Sequence, residues 1–351
     1  MHAVTLRFRK QKLIMQQFDY TKPFLLEAGQ TLPGISIAYT TAGQLNNDAS
    51  NVVWICHALT ANSDVTEWWP GVVGTGCVID PAKYFIVCAN IIGSCYGSSG
   101  PLSINPATGK SYYHSFPLIT IRDMVKAHII LREHLAIKKI HLLVGGSMGG
   151  YQALEWAVME PQHIEQLFLL ATSPTESAWG IAVHAAQRIA IEADNSWQNN
   201  DEEAGQKGLK AARAIGMLTY RNYGIMVKTQ TDNDTEKIDN YRAASYINYQ
   251  GNKLAERFNA YSYWLLTKAM DSHQLARGRG GNIDTTLKTI HQRSLIIGIS
   301  SDILCPLIEQ QHMAAQMPRA TLIEIDSAYG HDGFMVESEK ISACLKEWLN
   351  D

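Results

Sequence analysis

Apolar residues along the chain follow two rhythms. In one they run without interruption: "NVVWICHAL" from Asn51, "YFIVCANII" from Tyr84, "IHLLVGGS" from Ile140, "IEQLFLLAT" from Ile164, "RSLIIGIS" from Arg293 and "ATLIEID" from Ala320. Such runs predict strands buried on both faces, as in parallel sheets covered by helices. In the other rhythm apolar positions recur every three or four residues. "TIRDMVKAHIILREHL" brings Ile121, Met124, Val125, His128, Ile129 and Leu135 near one face of a helix. "PLIEQQHMAAQM" and "KISACLKEWL" predict shorter helices. The rhythms alternate, which predicts an α/β fold with a mostly parallel, doubly wound sheet.

One region breaks the alternation. From about Ser173 to Asp284 no buried strand is predicted. Helical stretches such as "SAWGIAVHAAQRIAIEA", "GQKGLKAARAIGMLTY" and "YSYWLLTKAM" take over, interrupted by the polar, disorder-leaning "DNSWQNNDEEAGQ" and "TQTDNDTEKIDN". The reading is a core domain of residues 1–172 and 286–351, with 173–285 inserted as a helical lid over a site at the strand ends. No internal repeat or long low-complexity tract is present.

Composition narrows the function. The chain has 351 residues, 46% hydrophobic and 18% charged, which suits a globular protein with a large core. A net charge of −3 gives no electrostatic case for nucleic acid or an anionic membrane. No apolar run approaches the roughly 20 residues of a membrane span. The opening "MHAVTLRFRKQKLIMQQF" has basic residues but no long apolar core or small-residue cleavage site, so a cytoplasmic protein is expected. Cys56, Cys77, Cys88, Cys95, Cys305 and Cys344 form no C-x-x-C pair, so they read as reduced, packed thiols, with Cys95 and Cys305 near the site. No metal is expected.

Candidate chemistry centres on Gly145-Gly146-Ser147-Met148-Gly149, which fits G-x-S-x-G, the nucleophile elbow. A serine on a sharp strand-to-helix turn needs small neighbours, because side chains would collide where the turn closes. Alone the pattern is weak. A buried strand before it and a helical pattern after it supply the context the motif requires. A serine hydroxyl needs a base, and this fold places an acid and then a histidine later in the chain. Asp302 follows one predicted strand and His331 the next. Asp326 is the rival acid, but it ends the strand leading to His331, so Asp302 is preferred. The other histidines read as packed or solvated residues. Backbone N–H groups of Leu59, in the loop after the first strong strand, and Met148, after the serine, are the expected oxyanion donors. "ATGKSYY" is no P-loop, because Ile104 stands where its first glycine belongs. "RGRGGN" from Arg277 has no strand before it.

Together these residues resemble the homoserine O-acyltransferase family, most closely its acetyltransferases, within the α/β-hydrolase fold. The likeness runs from "ISIAYTTAG" to "YGHDGF" and is most specific at "HALT", "WWPGVVG", "YFIVCANIIGSCYGSSGP", "GGSMGG", "LTYR", "YQGNKLAERFNAYSYWLLTKAMD" and "RGRG". Ala61, Gln274, Ala276 and Cys305 depart from the family's usual glycine, aspartate, glycine and phenylalanine. The resemblance implies a two-step transfer. Ser147 takes an acetyl group from acetyl-CoA, a co-substrate rather than a permanently bound cofactor, with His331 as base and Asp302 holding the imidazole. The hydroxyl of L-homoserine then takes the acetyl group, in methionine biosynthesis.

On the residues alone Arg213 reads as a solvated helix residue and Asp332 as a loop cap. The resemblance implies instead that Arg213 meets the homoserine carboxylate and Asp332 its ammonium group. Tyr220, seven residues after Arg213, shares its helix face. Arg188 is a weaker candidate, read as part of a surface ion pair. A homodimer through the lid is implied as well. Competing readings are an acyltransferase using succinyl-CoA or accepting serine, a plain esterase or thioesterase, and a non-enzymatic binding protein on the same scaffold.

Overall fold

The computed structural model describes residues 14–351. Residues 1–13, which carry most of the opening stretch read for a targeting signal, lie outside them. The central sheet has eight strands: β1 (Met15–Tyr20), β2 (Ile35–Ala42), β3 (Val52–Cys56), β4 (Phe85–Ala89), β5 (Ile140–Gly146), β6 (Ile164–Leu170), β7 (Arg293–Ile299) and β8 (Ala320–Ile325). Their spatial order is β1-β2-β4-β3-β5-β6-β7-β8. β2 pairs antiparallel with β1 and with β4, and the remaining pairs are parallel. All six continuous apolar runs form strands; five are buried on both faces as parallel interior strands are, while β8 lies at the sheet edge and is mostly half-buried or exposed. β1 and β2 were not anticipated. β1 lies at the sheet edge with an exposed, alternating pattern and so carries no continuous apolar signal.

Each sheet face has its own core. Val53, Ile55, Phe168 and Ile297 pack on one face with Trp348 of the C-terminal helix. Trp54, Leu143, Trp156 and Leu169 pack on the other. Alternate residues of one strand thus feed opposite cores. Truncating Trp54, which is fully buried, would cost about 3–5 kcal/mol.

The predicted helices cover these faces. α1 (Ile121–His134) starts with a capping box: Asp123 N donates to Thr120 Oγ1 at 3.3 Å and Thr120 N to Asp123 Oδ2 at 3.1 Å. α2 (Met148–Met159) follows β5 directly. Between β6 and β7 come α3 (Ala178–Glu192), α4 (Gln206–Tyr220), α5 (Tyr223–Gln230), α6 (Arg242–Ala255), α7 (Ala260–Asp271) and the short α8 (Ile283–Leu287). α9 (Leu307–Gln316) and α10 (Ser338–Asn350) close the chain. The insertion shares one apolar cluster with the sheet, since Ile191, Leu209, Leu254 and Leu266 join Trp54 and Leu143.

The two polar interruptions are pinned turns rather than loose chain. In the first, Trp197 and Ala204 are buried, and Asp194 accepts from Ser196 N at 3.0 Å and Gly208 N at 2.9 Å. In the second, Asp232 accepts from Lys237 Nζ at 2.6 Å and Arg242 N at 2.9 Å. The two carboxylates thus satisfy N–H groups of the turn and of the first turns of the helices that follow, which have no intrahelical acceptor. No helix among the described residues is long and apolar enough to cross a membrane.

Candidate active site

The parallel register aligns the C-terminal ends of β5 to β8. Gly146 faces Leu170, and Ile299 faces Ile325. Residues just past these ends therefore converge, and three of the sequence candidates lie there. Ser147 turns sharply between β5 and α2 with φ 53° and ψ −128°, a backbone region that disfavours side chains. Its amide is held by Leu170 O at 3.0 Å. The glycine at 149 is sterically required, because a Cβ there would lie 2.1 Å from Cys56 O.

Ser147 Oγ lies 2.8 Å from His331 Nε2, and His331 Nδ1 lies 2.7 Å from Asp302 Oδ2. The other carboxylate oxygen of Asp302 accepts from Leu304 N at 2.8 Å and Cys305 N at 3.0 Å. Asp302 can then only accept, which puts the His331 proton on Nδ1 and leaves Nε2 to receive the serine proton. All three residues are buried. Burial works against charge on His331, but the Asp302 carboxylate outweighs it and raises the imidazole above its ordinary 6.5. Asp326 is exposed and bonds Ser300 Oγ at 3.1 Å, away from this chain of bonds. Glu309, on α9, is pushed up to about 7, by burial first and then by Glu176 and Asp302.

Neither the Leu59 nor the Met148 N–H has a protein acceptor among the described residues. For Met148 the cause is general, since the first N–H groups of a helix find no intrahelical partner. Among the described residues no cluster of three or more His, Cys, Asp or Glu could hold a metal ion.

A cleft of about 440 Å³ opens over Ser147 and His331, and Leu59, Arg213, Tyr220 and Asp332 all line it. Arg213 and Tyr220 come from α4, with the guanidinium 5.1 Å from the tyrosine ring centre. Arg213 makes no ion pair among the described residues, and its Nε is buried without a partner. Asp332 pairs with Arg221 Nε at 2.8 Å. Burial lifts the Asp332 carboxyl above its ordinary range, opposed by Arg221, Arg213 and His331. The close approach of α4 to the His331 loop depends on Gly330 (φ 66°), where a Cβ would lie 2.9 Å from both Asn222 N and Tyr220 O.

Arg188 departs from expectation. It does form an ion pair, with Asp271 at 2.6 Å, but Arg188 is buried rather than at the surface, and the half-buried Asp271 also takes His184 at 2.9 Å. Cys305 is buried beside the triad, its backbone N–H donating to the Asp302 carboxylate, and Cys95 Sγ lies 3.8 Å from Arg257 O. Sequence reasoning gave no role to Arg221, Lys253 or Arg257, which also line the cleft. Their one signal is that they fall in "LTYR" and "YQGNKLAERFNAYSYWLLTKAMD".

Comparisons with known proteins agree with this picture. A family model described as alpha/beta hydrolase fold matches residues 51–338. A homoserine O-acetyltransferase of Cyclobacterium marinum is 47% identical over 95% of both chains. The crystal structure of a homoserine O-acetyltransferase from Bacillus anthracis superposes with a TM-score of 0.90 at 26% identity, covering 97% of this chain and 98% of that one. Esterase E22 superposes at 0.87 with 22% identity, covering 96% of this chain and all of its own, which speaks for the fold alone.

Proposed function

Because the chain belongs to the homoserine O-acetyltransferase family of the α/β-hydrolase fold, we propose that it moves an acetyl group from acetyl-CoA to the side-chain hydroxyl of L-homoserine. Ser147 Oγ attacks the thioester carbonyl carbon while His331 Nε2 takes its proton. Asp302 stabilises the imidazolium without accepting the proton. The oxyanion rests on the Leu59 and Met148 N–H groups. Collapse breaks the C–S bond, and His331 returns the proton to the departing thiolate. The homoserine hydroxyl then attacks acetyl-Ser147, with His331 again the base. The second collapse restores Ser147 and frees O-acetyl-L-homoserine, for methionine biosynthesis.

The observation that carries acyl transfer over hydrolysis is Arg213, a cation with no ion-pair partner among the described residues, in the same cleft as Ser147. A guanidinium fork matches an amino-acid carboxylate in bidentate fashion. Asp332, with Tyr220 nearby, receives the ammonium group. Residues 173–285 act as the lid over the core formed by 1–172 and 286–351. The exposed apolar side chains of Trp179, Ile189, Leu218 and Tyr223 on that insertion support a homodimer through it, which light scattering tests. We place the enzyme in the cytoplasm.

Mass spectrometry of products from acetyl-CoA and homoserine is the direct test. O-acetylhomoserine formed at a rate that depends on homoserine is expected. Faster transfer from succinyl-CoA, or faster transfer to serine, would replace the proposed substrate. Thiol release that homoserine neither speeds nor converts to ester would make the protein a hydrolase.

A further inference from the structure

We propose that Arg257 is a positioning residue for the oxyanion hole, acting from the insertion on the turn that aims the Leu59 N–H. The inference rests on the assignment of Leu59 to that hole and not on the identity of the acceptor.

The Ala58 carbonyl and the Leu59 N–H belong to one planar, trans peptide, so they point in opposite directions. Two donors hold the carbonyl. Ala61 N reaches it at 3.0 Å, closing a tight turn with Leu59 and Thr60 at its corners, and His57 Nδ1 reaches it at 2.9 Å. His57 Nε2 accepts from Ile91 N at 3.3 Å, which keeps the imidazole proton on Nδ1. Burial holds the His57 pKa down at about 4, so the ring stays neutral. With its carbonyl fixed in this way, the peptide must turn the Leu59 N–H outward, where no protein acceptor among the described residues meets it.

The next held peptide joins Thr60 to Ala61. Its N–H closes the turn, and its carbonyl accepts from Arg257 Nη1 at 2.6 Å. The same nitrogen donates to Tyr96 Oη at 2.5 Å. Tyr96 is itself fixed, because its carbonyl accepts from Asn90 Nδ2 at 2.7 Å and its ring packs edge-on against Phe258, 5.6 Å between centres. Asn90 also holds the far end of the loop, accepting from Ser63 N at 2.8 Å. The loop is thus tied at His57 and Ser63 by its own core domain, and at its centre by Arg257. Arg257 lies between α6 and α7, with its own amide bonded to Leu254 O at 3.0 Å. Bonds in series polarise and align one another, so loosening the Thr60 carbonyl frees the turn that aims Leu59.

The test separates orientation of the turn from recognition of the donor's phosphates, since Arg257 and Lys253 are also exposed cations at the cleft. Thiol release in the first turnover is measured without acceptor, using acetyl-CoA and the phosphate-free thioester S-acetyl-N-acetylcysteamine. Arg257→Ala should slow acylation by about 10- to 100-fold with both donors and leave donor KM nearly unchanged. That loss is smaller than the roughly 10²–10³-fold of deleting an oxyanion donor outright. Arg257→Lys keeps one donor and should recover part of the rate. Tyr96→Phe should lose about threefold with both thioesters, because Arg257 keeps its bond to Thr60 O and loses only its second acceptor. A loss confined to acetyl-CoA, or one seen only in KM, makes Arg257 a phosphate contact and overturns the proposal. If Arg257→Ala does not fold, wild-type acylation rates in both Arg257→Lys and Tyr96→Phe overturn it equally. Normal acylation by the wild-type enzyme with no transfer to homoserine would sink the proposed acceptor and leave this inference standing.

Discussion

The strand ends and the helical insertion face each other across one cleft, yet they treat polar groups in opposite ways. On the strand side every proton site of Ser147, His331 and Asp302 is matched by a partner, and all three residues are buried. On the insertion side Arg213 has no ion-pair partner among the described residues, although Tyr220 packs against it. A satisfied network keeps one geometry whatever enters the cleft. An unsatisfied cation selects what enters, because its desolvation is offset only when an anion arrives. On the function proposed above, the strand side carries the acyl chemistry and the insertion decides which acceptor meets it.

The division can be broken from either side. Ser147→Ala should lower acetyl transfer by at least about 10⁴-fold, read as thiol release and ester formation, with the melting temperature little changed. Persistent turnover would move the chemistry off the strand side. Asp271→Ala strands the buried Arg188 and should destabilise the protein by about 3–5 kcal/mol in denaturant titration. If the insertion and the sheet unfold together, as their shared apolar cluster implies, one transition is expected. Arg213→Lys keeps the charge but loses the fork. It should cut kcat/KM for homoserine by about 10- to 100-fold while acylation by acetyl-CoA stays at the wild-type rate. An equal loss in both half-reactions would erase the distinction.

The smallest effect sharpens the strand side. Only neutral His331 can take the serine proton, and its pKa lies above 6.5. Acylation should fall as pH drops through that raised value, about tenfold per unit below it, and level off above. Glu309→Gln should leave this limb in place. A limb that disappears in that variant would assign the titration to Glu309, whose carboxyl is raised to about 7.

The strand side was also the more legible half in sequence, for physical reasons. Strands buried on both faces are continuously apolar, and the elbow's steric demands fall on adjacent residues, so Ser147 and its setting can be read locally. Asp302 could be nominated because it follows such a strand, and His331 because the edge strand before it, β8, still carries an apolar run in sequence. β1 escaped because an edge strand needs no continuous apolar run. α5 and α6 escaped because few of their residues are buried. Arg221 and Arg257 could not be singled out, since a cation on a helix end looks the same whether it faces solvent, a carboxylate or a backbone carbonyl. Only the fold brings Arg257 to Thr60, 197 positions away in the chain.

The shared cleft has a kinetic consequence. On the proposed mechanism the thioester arm of acetyl-CoA and the hydroxyl of homoserine each reach Ser147 Oγ through the same space of about 440 Å³. Free enzyme that captures homoserine too early is blocked to its donor. Raising homoserine at low acetyl-CoA should therefore first speed turnover and then suppress it, and more acetyl-CoA should relieve the suppression.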